Sequence, residues 1–256
     1  MSGLFPDSSL NDLAPTLAAL PDEPRRAMDR LRELRFRFVQ LSASQPGLKP
    51  RDLDHSARRD LISTLRRREI EIAGVDIWIP VEHFSDASHV DRAVNAAVDA
   101  VVFAADLGRV PLSLTLPSDA ESQNPPANEA TAAVIAACER YGVPLADHAV
   151  PASKRPRHDL LGIGIDPVAW QASSGGFDAA QIASSVPRWI LAARLGDLSR
   201  TGSRQPPGQP GGRLNLQEYR IALSAAGYGR PVILDARQWN DPWQAVQIAR
   251  QAWHDA

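Results

Sequence analysis

From about residue 36 onward, short apolar runs alternate with longer stretches whose apolar residues recur every three or four positions, the pattern of buried strands exchanging with amphipathic helices. Residues 36–41, 70–79, 110–116, 143–150, 160–166, 189–197 and 231–235 read as strands. Between them, residues 23–34 form a predicted helix with Pro24 in its first turn, and the stretch opened by Pro50 repeats Leu53, Ala57, Leu61 and Leu65 every four residues. A third helix, capped by Ser88, turns Val90, Val94, Ala97, Val101 and Ala105 inward and stops at Gly108. Further helices are expected at 130–141 and 177–185, then one opened by Asn215 with Glu218 three residues on, and one with Asp241 as cap and Pro242 in its first position.

The count is seven clear strands, with only the short stretch 16–20 after Pro15 left to serve as an eighth. Strands alternating with helices at this pace predict an α/β fold, a single (β/α)8 TIM barrel with a weak or degraded first strand. It would span residues 1–256, with 1–13 as an irregular N-terminal segment. An open doubly wound sheet is the alternative, but neither a Gly-x-Gly-x-x-Gly turn nor a Walker-type loop supports it.

Four of the expected strands end in a charged residue: V-P-L-A-D-H at 143–148, L-L-G-I-G-I-D at 160–166, I-L-A-A-R-L-G-D at 190–197 and P-V-I-L-D at 231–235. A barrel builds its active site at the C-terminal ends of its strands, so the chemistry is sought in Asp147, His148, Asp166, Arg194, Asp197 and Asp235. Two loops are expected to overhang that mouth as mobile rims: the basic residues 151–158, with Lys154, and the Gly- and Pro-rich residues 201–213. Trp78, His83, Arg200 and Arg237 follow strand ends closely enough to reach a ligand there.

A net charge of −2 gives no global reason to expect a nucleic-acid partner. The lone Cys138 cannot form an intramolecular disulfide and sits in an alanine-rich helical stretch, which points to burial rather than nucleophilic duty. No run approaches the roughly 18 apolar residues of a membrane span, and the first residues carry no secretory pattern; the expectation is a cytoplasmic protein without a membrane partner.

The segment 51–108, the strands ending L-A-D-H and G-I-D, the A-R-L-G-D-L-S-R segment, the Gly-rich run into G-G-R-L-N-L and the terminal P-V-I-L-D together resemble the xylose isomerase-like TIM barrels. That group comprises sugar phosphate isomerases and epimerases together with the endonuclease IV type of repair enzyme. The resemblance implies an isomerase or epimerase of a small sugar or sugar phosphate, working by proton transfer next to a carbonyl on a divalent metal. It places Asp147, Asp166 and Asp235 as metal ligands and Asp147 and Asp235 as the acid-base pair, with Arg194 and Asp197 on family site positions. From its place at a strand end His148 is a further catalytic candidate, and Arg194, Asp197, Arg200, Trp78, His83, Lys154 and Arg237 are candidate substrate contacts.

The sequence departs from the pattern at decisive positions. Arg194 stands where the family has a metal-binding His, Gln40 where the second strand has a Glu, and Ala169 where a further His is expected. With the imidazole lost, the resemblance implies an oxygen-loving cation, Mg²⁺ or Mn²⁺ rather than Zn²⁺, or no metal where Arg194 has taken its place. The alternatives are a catalytically degenerate barrel that binds a small carbohydrate, an anionic ligand or a protein partner, and an endonuclease-type phosphodiesterase. The last lacks the His-rich cluster that a multi-metal site needs.

Overall fold

The computed structural model describes residues 10, 12–119, 121–152, 155, 157–174 and 188–256. Eight parallel strands form the barrel: β1 Leu13–Pro15, β2 Phe38–Ser42, β3 Glu71–Asp76, β4 Leu112–Leu114, β5 Leu145–Asp147, β6 Leu161–Ile165, β7 Ile190–Leu195 and β10 Val232–Leu234. A short antiparallel pair, β8 Asp197–Leu198 and β9 Arg204–Gln205, stands on the loop between β7 and β10. The barrel strands follow the order β1-β10-β7-β6-β5-β4-β3-β2, and a bridge from Thr16 to Gln40 brings β1 back to β2. The Thr16 hydroxyl donates to Gln40 Oε1 at 2.8 Å across that seam.

The first strand lies three residues earlier than expected and is only three residues long. Pro15 has no N–H to give, so the neighbouring bonds carry the pairing: Thr16 N donates to Leu234 O at 3.0 Å and Val232 N to Asp12 O at 2.9 Å. After Thr16 the chain turns into a 3-10 segment, Leu17–Ala19, where continued strand was expected.

Helices Pro24–Glu33, His55–Arg67, Val90–Asp106, Pro125–Tyr141, Pro167–Ser174, Leu216–Ala225 and Pro242–Asp255 surround the barrel among the described residues. Asn215 and Asp241 cap as expected, accepting from Glu218 N at 3.2 Å and Gln244 N at 3.1 Å. Ser88 does not cap; its hydroxyl bonds Asp86 at 2.7 Å, and the third helix begins after His89. The helix expected at 177–185 lies outside the described residues. Cys138 is buried in its helix, and burial pushes its thiol up to about 12, an inert state. No helix among the described residues is long and apolar enough to cross a membrane.

Between β5 and β6 the described residues contain no helix. Asp147 secures this crossing: one carboxylate oxygen accepts Leu116 N at 3.1 Å and Ala149 N at 3.0 Å, the other accepts Arg155 Nη1 at 3.2 Å. Arg155 also reaches Pro117 O, so one ion pair ties the crossover to the loop after β4.

Side chains alternate along each strand between the lumen and the helical layer, and paired residues of neighbouring strands share a face. The lumen floor is the small cluster Ala14, Phe38, Ala73 and Ile233, with Ala146, Leu191 and Ala192 forming a second group. Gly162, Gly164, Ala146 and Ala192 keep that side of the lumen thin, which leaves room above them for polar side chains.

Candidate active site

Register decides which strand-end residues look into the lumen. Ser42 pairs with Asp76, Asp76 with Ser113, Ser113 with Ala146 and Ala146 with Gly162, a continuous ladder on the lumen face. Asp166 extends the row of Gly162 and Gly164, Asp235 the row of Ile233, and Arg194 pairs with Ile233 across β7 and β10. Asp147 pairs with Leu114 and Ile163, both members of the core between barrel and helices, so it faces outward. The residue on the lumen face at the end of β5 is its neighbour His148.

The lumen residues form one ion-pair network. Arg194 Nη1 donates to Asp166 Oδ2 at 3.1 Å, while its Nη2 lies 3.8 Å from Asp76 Oδ2. Arg237 binds the same Asp76 oxygen and places Nε 3.4 Å from Asp235 Oδ1. Arg204, brought in by β9, donates to Asp235 Oδ2 at 3.0 Å. Three carboxylates thus meet three guanidiniums, and Asp166 also accepts Val168 N at 3.0 Å. Burial by itself would raise the Asp166 carboxyl, but the Arg194 and Arg204 charges and the Arg194 hydrogen bond outweigh it and hold the group below the ordinary carboxylate range.

His148 is the unusual member. It is 4% exposed, and neither ring nitrogen has a hydrogen-bond partner. Burial and the Arg194 charge, with Arg237 adding to them against Asp235, push the imidazole well below its ordinary value. It is therefore a neutral ring at neutral pH, with one nitrogen carrying a free lone pair. Gly164 makes room for it: a Cβ there would lie 2.2 Å from His148 Nε2 and 2.3 Å from Cδ2.

A cavity of about 270 Å³ opens beside this network, bounded by residues 76–82, Leu114, Thr115, Arg194 and Arg237. Trp78 lies on its rim with 71% of its surface exposed, an aromatic face free to pack on a sugar ring. Asp76 was not among the residues expected from sequence, because the run G-V-D-I-W-I-P reads as one strand to Ile79, whereas β3 ends at Asp76 itself. A carboxylate inside an apolar run was the signal.

The other expected contacts have different surroundings. Asp197 is buried, and one oxygen accepts Leu198 N at 2.8 Å, Leu214 N at 2.9 Å and Arg213 N at 3.0 Å. It organises the 201–213 excursion, expected to be irregular, in which β8 pairs with β9 and Ser199 bridges Gly212. Burial nevertheless raises its carboxyl above the ordinary range, because those three backbone bonds only partly offset it. Arg200 is exposed, and its carbonyl accepts from Arg213. His83 stacks on His89 with ring centres 4.4 Å apart, off the cavity lining. Lys154 lies outside the described residues.

The expectation that Asp147, Asp166 and Asp235 share a metal meets an obstacle in the strand register. Asp147 belongs to the outer face with Arg155, and burial, outweighing its hydrogen bonds and the Arg155 and Arg157 charges, raises its carboxyl. Among the described residues no three His, Cys, Asp or Glu side chains gather as a metal-holding group. The lumen donors do not fit a divalent cation either, since each carboxylate is engaged by a guanidinium. A divalent cation about 4 Å from a guanidinium would be repelled by about 8 kcal/mol at an effective dielectric near 20.

The architecture is an eight-stranded α/β TIM barrel. No family model matches the chain, and no curated protein matches it in sequence. Among solved structures it is similar to a xylose isomerase domain protein from Planctomyces limnophilus, at 14% identity over 97% of this chain and 94% of the other, with a TM-score of 0.68. It is also similar to the D-psicose 3-epimerase of Clostridium cellulolyticum H10, solved with D-tagatose, at 12% identity over 95% and 98%, TM-score 0.71. An L-ribulose 3-epimerase aligns at 15% identity over 95% and 94%, TM-score 0.72.

Proposed function

We propose that the mouth of this barrel binds a small sugar and catalyses its isomerisation or epimerisation by moving a proton next to the carbonyl. The observation that carries the reading is His148: a buried, neutral imidazole with two unbonded nitrogens, on the lumen face and within the fields of Arg194, Arg237 and Asp235. In the proposed step a His148 nitrogen takes the proton from the carbon beside the carbonyl. The electron pair moves onto the carbonyl oxygen, and the Arg194 and Arg237 guanidiniums bordering the cavity hold the resulting enediolate charge. Return of the proton to the former carbonyl carbon, while the neighbouring hydroxyl gives up its proton and the former carbonyl oxygen takes one, gives an isomer; delivery of a proton from solvent to the opposite face of the same carbon, with His148 releasing its proton to solvent, gives an epimer. Three guanidiniums matched by three carboxylates favour an uncharged sugar over a phosphorylated one. The epimerase neighbours support the substrate class.

The test is proton NMR of ketopentoses and ketohexoses incubated with the protein in D₂O. Deuterium appearing at a carbon next to the carbonyl, and lost in His148→Gln, supports the proposal. A full panel without exchange refutes it. The pairing of every lumen carboxylate favours a second reading, a sugar-binding barrel without turnover. Saturable binding of a ketose without deuterium uptake identifies that case.

A further inference from the structure

We propose that Arg194 is the resident cation of this mouth and reads the ligand's oxygens itself, so that the site operates without a divalent metal. The guanidinium extends from β7 to carboxylates of β6 and β3, at 3.1 Å from Asp166 and 3.8 Å from Asp76, and so joins strands on separated parts of the barrel wall. Bridging acidic groups from distant strands is a task that a bound ion performs in oxygen-ligand sites. Here a covalently attached charge performs it, and no concentration of free ion is needed.

Two atoms of the same network give the positive half of the argument. Arg194 Nε and Asp76 Oδ1 are both buried without a hydrogen-bond partner, on two side chains that line the same cavity. A buried donor and a buried acceptor left unmet on residues of one cavity wall are costly, and a ligand hydroxyl, which accepts and donates at once, can satisfy both. A guanidinium is planar and fixed in direction, so it selects an oxygen by geometry where a spherical ion would take any. The ligand class this pair fits is a polyhydroxy compound with a hydroxyl placed between them.

The inference goes beyond the assignment of turnover and is tested without any sugar. Mn²⁺ is titrated calorimetrically into the wild type, Arg194→His and Arg194→Gln, with thermal denaturation confirming that each is folded. The wild type is expected to show no saturable Mn²⁺ binding up to about millimolar concentration. Arg194→His, which leaves Asp76, Asp166 and Asp235 with an imidazole, is expected to bind at least about tenfold more tightly. Arg194→Gln keeps the size without the charge and is expected to gain less. Tight binding by the wild type, unchanged in either variant, overturns the proposal. Equal absence of binding in the wild type and the folded variants overturns it as well, since something other than the guanidinium charge would then keep metal out. Failure of the sugar panel alone would count against turnover and leave this result standing.

Discussion

Replacing Gly164 by Ala tests the position of His148 without touching its chemistry. Gly164 has ordinary strand backbone geometry, so the substitution carries no conformational penalty of its own; at an unobstructed site it would stabilise the fold by about 0.4–1 kcal/mol. The added Cβ would instead lie 2.2, 2.3 and 2.4 Å from three atoms of the His148 ring. A comfortable carbon contact is about 3.5 Å, so the imidazole must retreat by more than about 1 Å into a lumen already holding Arg194 and Ala146. Overpacking of that kind costs about 1–3 kcal/mol and outweighs the entropic gain, so a net loss is expected. Urea denaturation reads it directly, and in a heat scan each 1 kcal/mol appears as about 2–4 °C in a protein of this size. The double variant Gly164→Ala/His148→Ala should recover part of the loss, because the clash is removed with the ring. If Gly164→Ala alone proves more stable than the wild type, His148 is not packed over Gly164 and the reconstruction of the lumen fails.

Asp147→Ala should destabilise the fold by about 3 kcal/mol, because it leaves Arg155 without its buried partner and frees the crossover after β5; sugar affinity should fall far less than in Arg237→Ala. The reverse ranking, by chemical denaturation and calorimetry, would return Asp147 to the lumen site. His148 also sets a pH dependence. Its folded pKa lies well below the unfolded value near 6.5, so the unfolded chain binds a proton that the folded protein refuses. The full stability is present above about pH 6.5 and falls by about 1.4 kcal/mol per pH unit as pH drops toward the folded pKa. Denaturation curves from pH 7.5 to 5 should show this slope in the wild type and a flatter one in His148→Gln. Parallel curves would mean that the ring is solvated.

The barrel was legible because apolar periodicity and caps such as Asn215 and Asp241 are local properties, written within a few residues. The position of β1 was not, since Pro15 looked like a strand breaker until its neighbours' bonds to Asp12 and Leu234 showed how the ladder passes it. At the site, Asp166, Arg194 and Asp235 could be found as charges ending buried strands. The choice between Asp147 and His148 could not, because adjacent residues face opposite sides of a strand and only the pairing with Leu114 and Ile163 fixes which is which. Asp76 escaped for a related reason: an apolar run extending past the true strand end conceals the carboxylate at that end. Asp197 has the same pattern in sequence as Asp166, yet its carboxylate is taken up by the backbone of residues that follow it by as many as seventeen positions.

The claim that the lumen face, and not the outer face of β5, is the working site is tested most directly by a crystal structure of the protein with the ketose that binds it best. The sugar is expected in the cavity beside Trp78, with an oxygen bridging Arg194 Nε and Asp76 Oδ1 and a carbon-bound hydrogen turned toward a His148 nitrogen. A sugar seated instead against Asp147 and Arg155, with the Arg194, Arg204 and Arg237 pairs undisturbed and His148 remote from it, would contradict the account.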